Sequence, residues 1–126
     1  MYSPYDPDLY DFTTPSTFRG DVEWYRRKAR ETGGPVLELG TGTGRISLVV
    51  ASGGVVVHAL DADRGMLDAL RRKLNAAPIE IQKHVVVVLV EQGGHGATTA
   101  APIARNIIEG LYHLPLTQFT DIAGTD

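Results

Sequence analysis

Apolar positions recur along this chain with two periods, and the switches between them mark out the elements. Val22, Tyr25 and Ala29 fall at helical spacing behind Asp21, which reads as an N-cap, and Gly33-Gly34 closes that helix. Val36 to Leu39 is a short apolar run with Glu38 inside it, a strand by length. A glycine-rich turn follows, then a helix from Arg45 to Ser52 with Ile46, Val49 and Val50 on one face, broken by Gly53-Gly54. Val55 to Leu60 is a second, buried strand. Asp63 is placed to cap a third helix, whose apolar stripe is Met66, Leu67, Leu70 and Leu74. Arg71, Arg72 and Lys73 near its end suit the negative pole of the helix dipole and read most simply as a solvated helix end.

Asn75 to Pro78 reads as a linker. Beyond it, His84 to Glu91 holds the run VVVVLV, a strand expected to be buried on both faces. Gly93, Gly94 and Gly96 make a flexible turn around His95. Pro102 suits the first turn of a last helix, with Ala104, Ile107, Ile108 and Leu111 as its stripe. No periodicity is left from His113 to Asp126, and a loose tail is expected. The first 19 residues carry Pro4, Pro7 and Pro15 and read as an irregular arm, not a helix.

The order is helix, then β-α-β-α-β-α. That alternation predicts the α/β class, with parallel strands and flanking helices, and three strands are half of a doubly wound sheet. The third strand is expected beside the second and parallel to it, in the order 3-2-1. The first strand is then an exposed edge, which invites a homodimer. Residues 1–78 form one half, and 79–126 add a strand-helix unit and the tail, expected to pack into the same single domain.

Composition narrows the function. With 126 residues and 43% hydrophobic content the chain can bury one core. A formal net charge of -3 gives no electrostatic case for nucleic acid or an anionic membrane surface. There is no cysteine, so disulfides and thiolate metal sites are excluded, and a cytoplasmic location is the expectation. The acidic start MYSPYDPDLYDF is not a signal peptide, and the apolar runs are too short to span a bilayer. No metal site is expected. His95 lacks a second ligand at metal spacing, His58 reads as a packed strand residue, and His84 and His113 flank elements and read as exposed.

The chemistry lies in VLELGTGTGR, Val36 to Arg45. Gly40, Gly42 and Gly44 sit between a strand and a helix. There, glycine permits positive φ and lets a ligand approach the backbone, and the helix start points free N–H groups at that space. The spacing is GxGxG, not the GxGxxG of dinucleotide folds. Asp61 ends the next strand, where an acidic side chain in nucleotide-binding α/β folds accepts hydrogen bonds from ribose hydroxyls.

VLELGTGTGR and VVVHALDADRGMLDALRRKL resemble class I S-adenosylmethionine-dependent methyltransferases, over about residues 5–74. The resemblance implies a partial Rossmann-like three-layer fold and S-adenosylmethionine as cofactor. By it Gly40, Thr41, Gly42 and Gly44 line the methionine part, Glu38 helps order the loop and the amino group, Asp61 holds the ribose, and Ala62 and Met66 lie near the adenine. The arm with Tyr5 and Tyr10 would cover the pocket. The acceptor-binding half is not recognisable, and no catalytic residue or methyl acceptor can be assigned.

Residues 83–112, KHVVVVLVEQGGHGATTAAPIARNIIEGLY, are similar to the C-terminal end of penicillin-binding protein transpeptidase domains. Neither the Ser-x-x-Lys nor the Lys-Thr-Gly pattern of that chemistry occurs here, so the segment is expected to be scaffold without a nucleophile. The expectations are thus a methyltransferase-like protein with its cofactor-binding half, or alternatively a non-catalytic α/β module or a fusion with a transpeptidase fragment.

Overall fold

The computed structural model describes residues 5–15 and 20–90, with positions 105, 106, 109, 110, 113 and 115. The chain divides into two compact units, Met1–Gln92 and Gly93–Asp126. In the second, positions 105, 106, 109 and 110 are helical, and Arg105 pairs with the buried Glu109 at 2.7 Å. The turn around His95, the helix start at Pro102 and the stripe Ala104, Ile107, Ile108 and Leu111 lie outside the described residues.

The first unit holds the sheet and runs α1 (Pro7–Thr13), α2 (Asp21–Thr32), β1 (Val36–Leu39), α3 (Ser47–Ser52), β2 (Val57–Asp61), α4 (Arg64–Ala76), α5 (Ile79–Gln82) and β3 (Val85–Leu89). The strands form one sheet in the order β1-β2-β3, parallel throughout, as the sequence pattern predicts. Val36 lies opposite Val57, which lies opposite Val85; Glu38, Ala59 and Val87 align two rows on, on the same face.

Alternation then assigns the faces. Positions 36, 57, 59, 85, 87 and 89 point toward the helices. Ala29, Val50, Ala51, Val55 and Val57 form one buried cluster, with Val36, Ile46, Ile81 and Val85 packed against it. Ala59, Leu67 and Leu70 form the other, closed by Leu48, Val85, Val87 and Leu89. Helices α2 to α5 therefore cover one face. The opposite face carries Leu37, Leu39, His58, Leu60, Val86 and Val88, and there Leu39 and Val86 are exposed while His58 is half-buried. Because the pleat has period two, a one-residue slip would exchange these sets, so the buried face determines the register.

Local chemistry moves several boundaries. The N-terminal arm is not irregular throughout: Asp6 accepts from the Asp8 and Leu9 N–H groups at 3.0 and 3.1 Å and caps α1. Pro7 occupies the first helical position, where its missing N–H costs nothing, so this proline starts a helix instead of breaking one. Asp21 is not an N-cap. Gly20, left-handed at φ 65°, is the cap, and Asp21 opens α2 with its carboxylate turned to Arg45. The helix after the glycine turn starts at Ser47, not Arg45, because Gly40, Gly42 and Gly44 all have positive φ and the chain is still turning through Ile46. Residues 75–78 are only partly a linker, since α4 continues to Ala76. The VVVVLV strand is not buried on both faces, because β3 is an edge strand and Val86 lies on the less covered side.

Leu70, fully buried between α4 and the sheet, anchors the second cluster. Leu70→Ala is expected to lower unfolding free energy by about 2–5 kcal/mol in urea titration; a loss below about 1 kcal/mol would show that the site collapses on the missing atoms.

Candidate functional site

The turn from Gly40 to Gly44 folds over the end of β2. The N–H groups of Gly40 and Thr41 both donate to the Leu60 carbonyl, at 2.8 and 3.1 Å. This brings the glycine turn beside Asp61, the last residue of β2. Both pieces of the sequence motif thus meet at the carboxyl ends of adjacent parallel strands, where ligands bind in open α/β sheets.

Three consecutive turn residues are each held by a carboxylate from a different element. Glu38 of β1 accepts from the Thr41 hydroxyl at 3.1 Å and from the Ser47 hydroxyl, and these hydroxyls lie 2.8 Å apart. Asp61 of β2 accepts the Gly42 N–H at 2.7 Å and the Asp63 N–H at 2.9 Å, one on each oxygen. Asp11 of α1 accepts from the Thr43 hydroxyl at 2.5 Å through one oxygen. Its other oxygen pairs with the Lys73 ammonium at 2.6 Å, and Lys73 also donates to the Thr43 carbonyl at 3.1 Å.

Residues 41–44 are all buried, and the glycines divide the work. Gly40 is exposed at φ 71°, and a β-carbon there would meet nothing within 4 Å, so its backbone faces open space. Gly44 is buried at φ 84°, and its β-carbon would lie 2.3 Å from Leu70 Cδ1, so glycine is required for packing on α4. Gly42 spends its N–H on Asp61. Asp61 is half-buried, Ala62 exposed and Met66 buried beneath the turn.

Arg45 leaves the turn on the far side. It forms a two-pronged bridge to Asp21, both contacts 2.8 Å, and lies close to the Tyr10 hydroxyl. These hydrogen bonds hold the Asp21 carboxyl down at about 2 and push the guanidinium up. Burial pushes the Glu38 carboxyl up, against the hydroxyl hydrogen bonds from Ser47 and Thr41. A cavity of about 320 Å³ lies beside this region, lined by Asp11, Thr14, Pro15, Gly44, Arg45, Leu48, Val49 and Lys73. Of the expected site residues only Gly44 touches it; Glu38, Gly40, Asp61, Ala62 and Met66 do not.

Reading the sequence alone missed Asp11, Thr43, Ser47 and Lys73 as parts of this site. The two threonines between the glycines were the available signal, since buried hydroxyls in a turn need acceptors. Lys73 departs from the solvated helix end, whereas its neighbour Arg71 pairs locally with Asp68. Tyr5 is exposed. His84 is half-buried, with Nδ1 2.6 Å from the Glu80 carbonyl oxygen, and His113 is exposed. Among the described residues, no helix is long and apolar enough to cross a membrane.

No family model and no curated protein matches the chain. Solved structures do. The glycopeptide N-methyltransferase MtfA aligns at 33% identity over 56% of this chain and 34% of its own, with a TM-score of 0.50. The CcbJ methyltransferase from Streptomyces caelestis aligns at 36% identity over 60% of this chain and 32% of its own, with a TM-score of 0.52. About half of this chain is therefore methyltransferase-like, and the chain spans about a third of the length of these neighbours.

The two shifted carboxylates tilt stability oppositely with pH. Asp21, depressed, contributes stability above the usual carboxylate range that is lost as pH falls toward about 2. Glu38, raised, favours the folded state while protonated, and that contribution is lost as pH rises through its folded pKa. Glu38→Gln keeps an acceptor and cannot ionise. Its urea midpoint relative to the parent is expected to rise between about pH 4 and about pH 8; a flat difference would place Glu38 in water.

Proposed function

We propose that this chain carries the cofactor-binding half of an S-adenosylmethionine-dependent methyltransferase. The observation that carries the reading is the meeting of Gly40 and Asp61: a backbone turn facing open space beside a carboxylate at the ends of two parallel strands. The residues fit such a group. Each Asp61 oxygen accepts one N–H and keeps a lone pair for a ribose hydroxyl. Gly40 leaves the space that any side chain would fill, and Glu38 braces Thr41 beside it.

In this reading Gly40 and Thr41, braced by Glu38, face the methionine part, Asp61 holds the ribose, and Ala62 and Met66 border the adenine. Gly42 and Gly44 shape the turn from beneath. When bound, the cofactor supplies a methyl group on a sulfonium, a leaving group that needs no acid, so the protein's share is binding and orientation. Methyl transfer itself, with an acceptor, belongs to this proposal. So does the place of residues 83–112, whose transpeptidase-like stretch contributes β3 to the sheet as scaffold.

Calorimetric titration with S-adenosylhomocysteine tests the site. Binding is expected, with Asp61→Ala weakening it by about tenfold or more, the loss of charged hydrogen bonds. No heat at millimolar ligand would remove the reading. The edge of β1 supports the expected homodimer: Val36 and Gly40 donate toward β2, so the backbone groups of Leu37 and Leu39 point outward. A dimer in sedimentation velocity would bear this out, and a monomer up to about 100 µM would remove it, since that excludes a micromolar association.

A further inference from the structure

Helix α1 presents a physical puzzle. It has seven residues and buries none of them. A helix that short is not stable by itself in water, and tertiary packing normally supplies the missing stability. Here packing is nearly absent: Leu9 and Phe12 are exposed. What remains is polar. Asp6 caps the first turn, Tyr10 meets Arg45, and Asp11 reaches the Thr43 hydroxyl and the Lys73 ammonium.

All of these anchors except the cap converge on residues 43–45 and on Lys73, which itself holds the Thr43 carbonyl. Thr43 is fully buried, so its hydroxyl needs the Asp11 acceptor or a water in its place. We propose that Asp11 is a positioning residue: it ties α1 to the glycine turn through Thr43 and Lys73, so that the turn takes its binding shape only while α1 is docked. This rests on the cofactor reading given above for its consequence in binding, but not for the latch itself.

The latch is separable from the core. It adds no apolar area to either cluster, so α1 undocks without unfolding the sheet. Its ion pair is about a third exposed on each side chain, 35% for Lys73 and 32% for Asp11, so salt weakens it. S-adenosylhomocysteine is a zwitterion at neutral pH, so it is a salt dependence present in the parent and reduced in Asp11→Ala that reads the Asp11–Lys73 pair.

Amide hydrogen exchange on the full chain tests this without ligand. Asp11→Ala and Thr43→Val are expected to speed exchange of the α1 amides and of Gly44 by about tenfold, through an opening that depends little on added urea, as for a local opening. Thr43→Ser, which restores the donor, is expected to match the parent. Unchanged exchange in both Asp11→Ala and Thr43→Val overturns the latch. An α1 opening as steeply dependent on urea as that of the sheet amides overturns its separation from the core. The second arm measures S-adenosylhomocysteine affinity at about 0.05 and 0.5 M salt, where screening lengths differ severalfold. The parent is expected to weaken about threefold or more with salt, and Thr43→Val to bind about tenfold less tightly than Thr43→Ser. Looser α1 exchange with unchanged affinity overturns the positioning role. Absence of binding in the parent removes the cofactor reading, and the latch then stands or falls on the exchange arm alone.

Discussion

The turn between β1 and α3 cannot hold its own shape. It takes positive φ at three glycines, which places its backbone outside both regular hydrogen-bond ladders. The shape is imposed from outside by three carboxylates, from β1, β2 and α1, on three successive residues. Each carboxylate meets a donor that would otherwise be buried without a partner. Among the described residues no buried side-chain nitrogen or oxygen lacks a hydrogen bond. The rest of the site follows from that constraint, because Gly40 can face outward only while residues 41–44 are held down beneath it.

The sheet supplies the platform. Packing helices α2 to α5 on one face settles the register, and the register sets Leu39 beside Leu60 and puts Asp61 just beyond the end of β1. A slip of one residue would both bury the wrong face and carry Asp61 away from the Gly42 N–H. Core and site are therefore specified by the same alternation. Gly44 joins them most directly, since its lack of a side chain is what allows the turn to rest on Leu70.

Legibility along the sequence followed the range of the interactions. The parallel order, the helix of Met66, Leu67 and Leu70 and the Asp63 cap were readable because they depend on neighbours within a turn or on a period. Helix α1 is masked in the sequence by three prolines, although Asp6 before Pro7 is a local start signal. Asp21 is a different case. An aspartate before an apolar stripe suits a cap, and nothing nearby in sequence shows that Arg45 will claim it.

By itself the sequence determined the α/β alternation, the strand polarity and the meeting of a glycine turn with an acidic strand end, because periodicity and backbone permissiveness are local properties. Only the tertiary structure decided which glycine faces outward, that Glu38 braces Thr41 and Ser47, and that Asp11 and Lys73 reach Thr43. Those pairings join groups up to 32 positions apart, and buried donors take whichever acceptor the packed elements bring within reach.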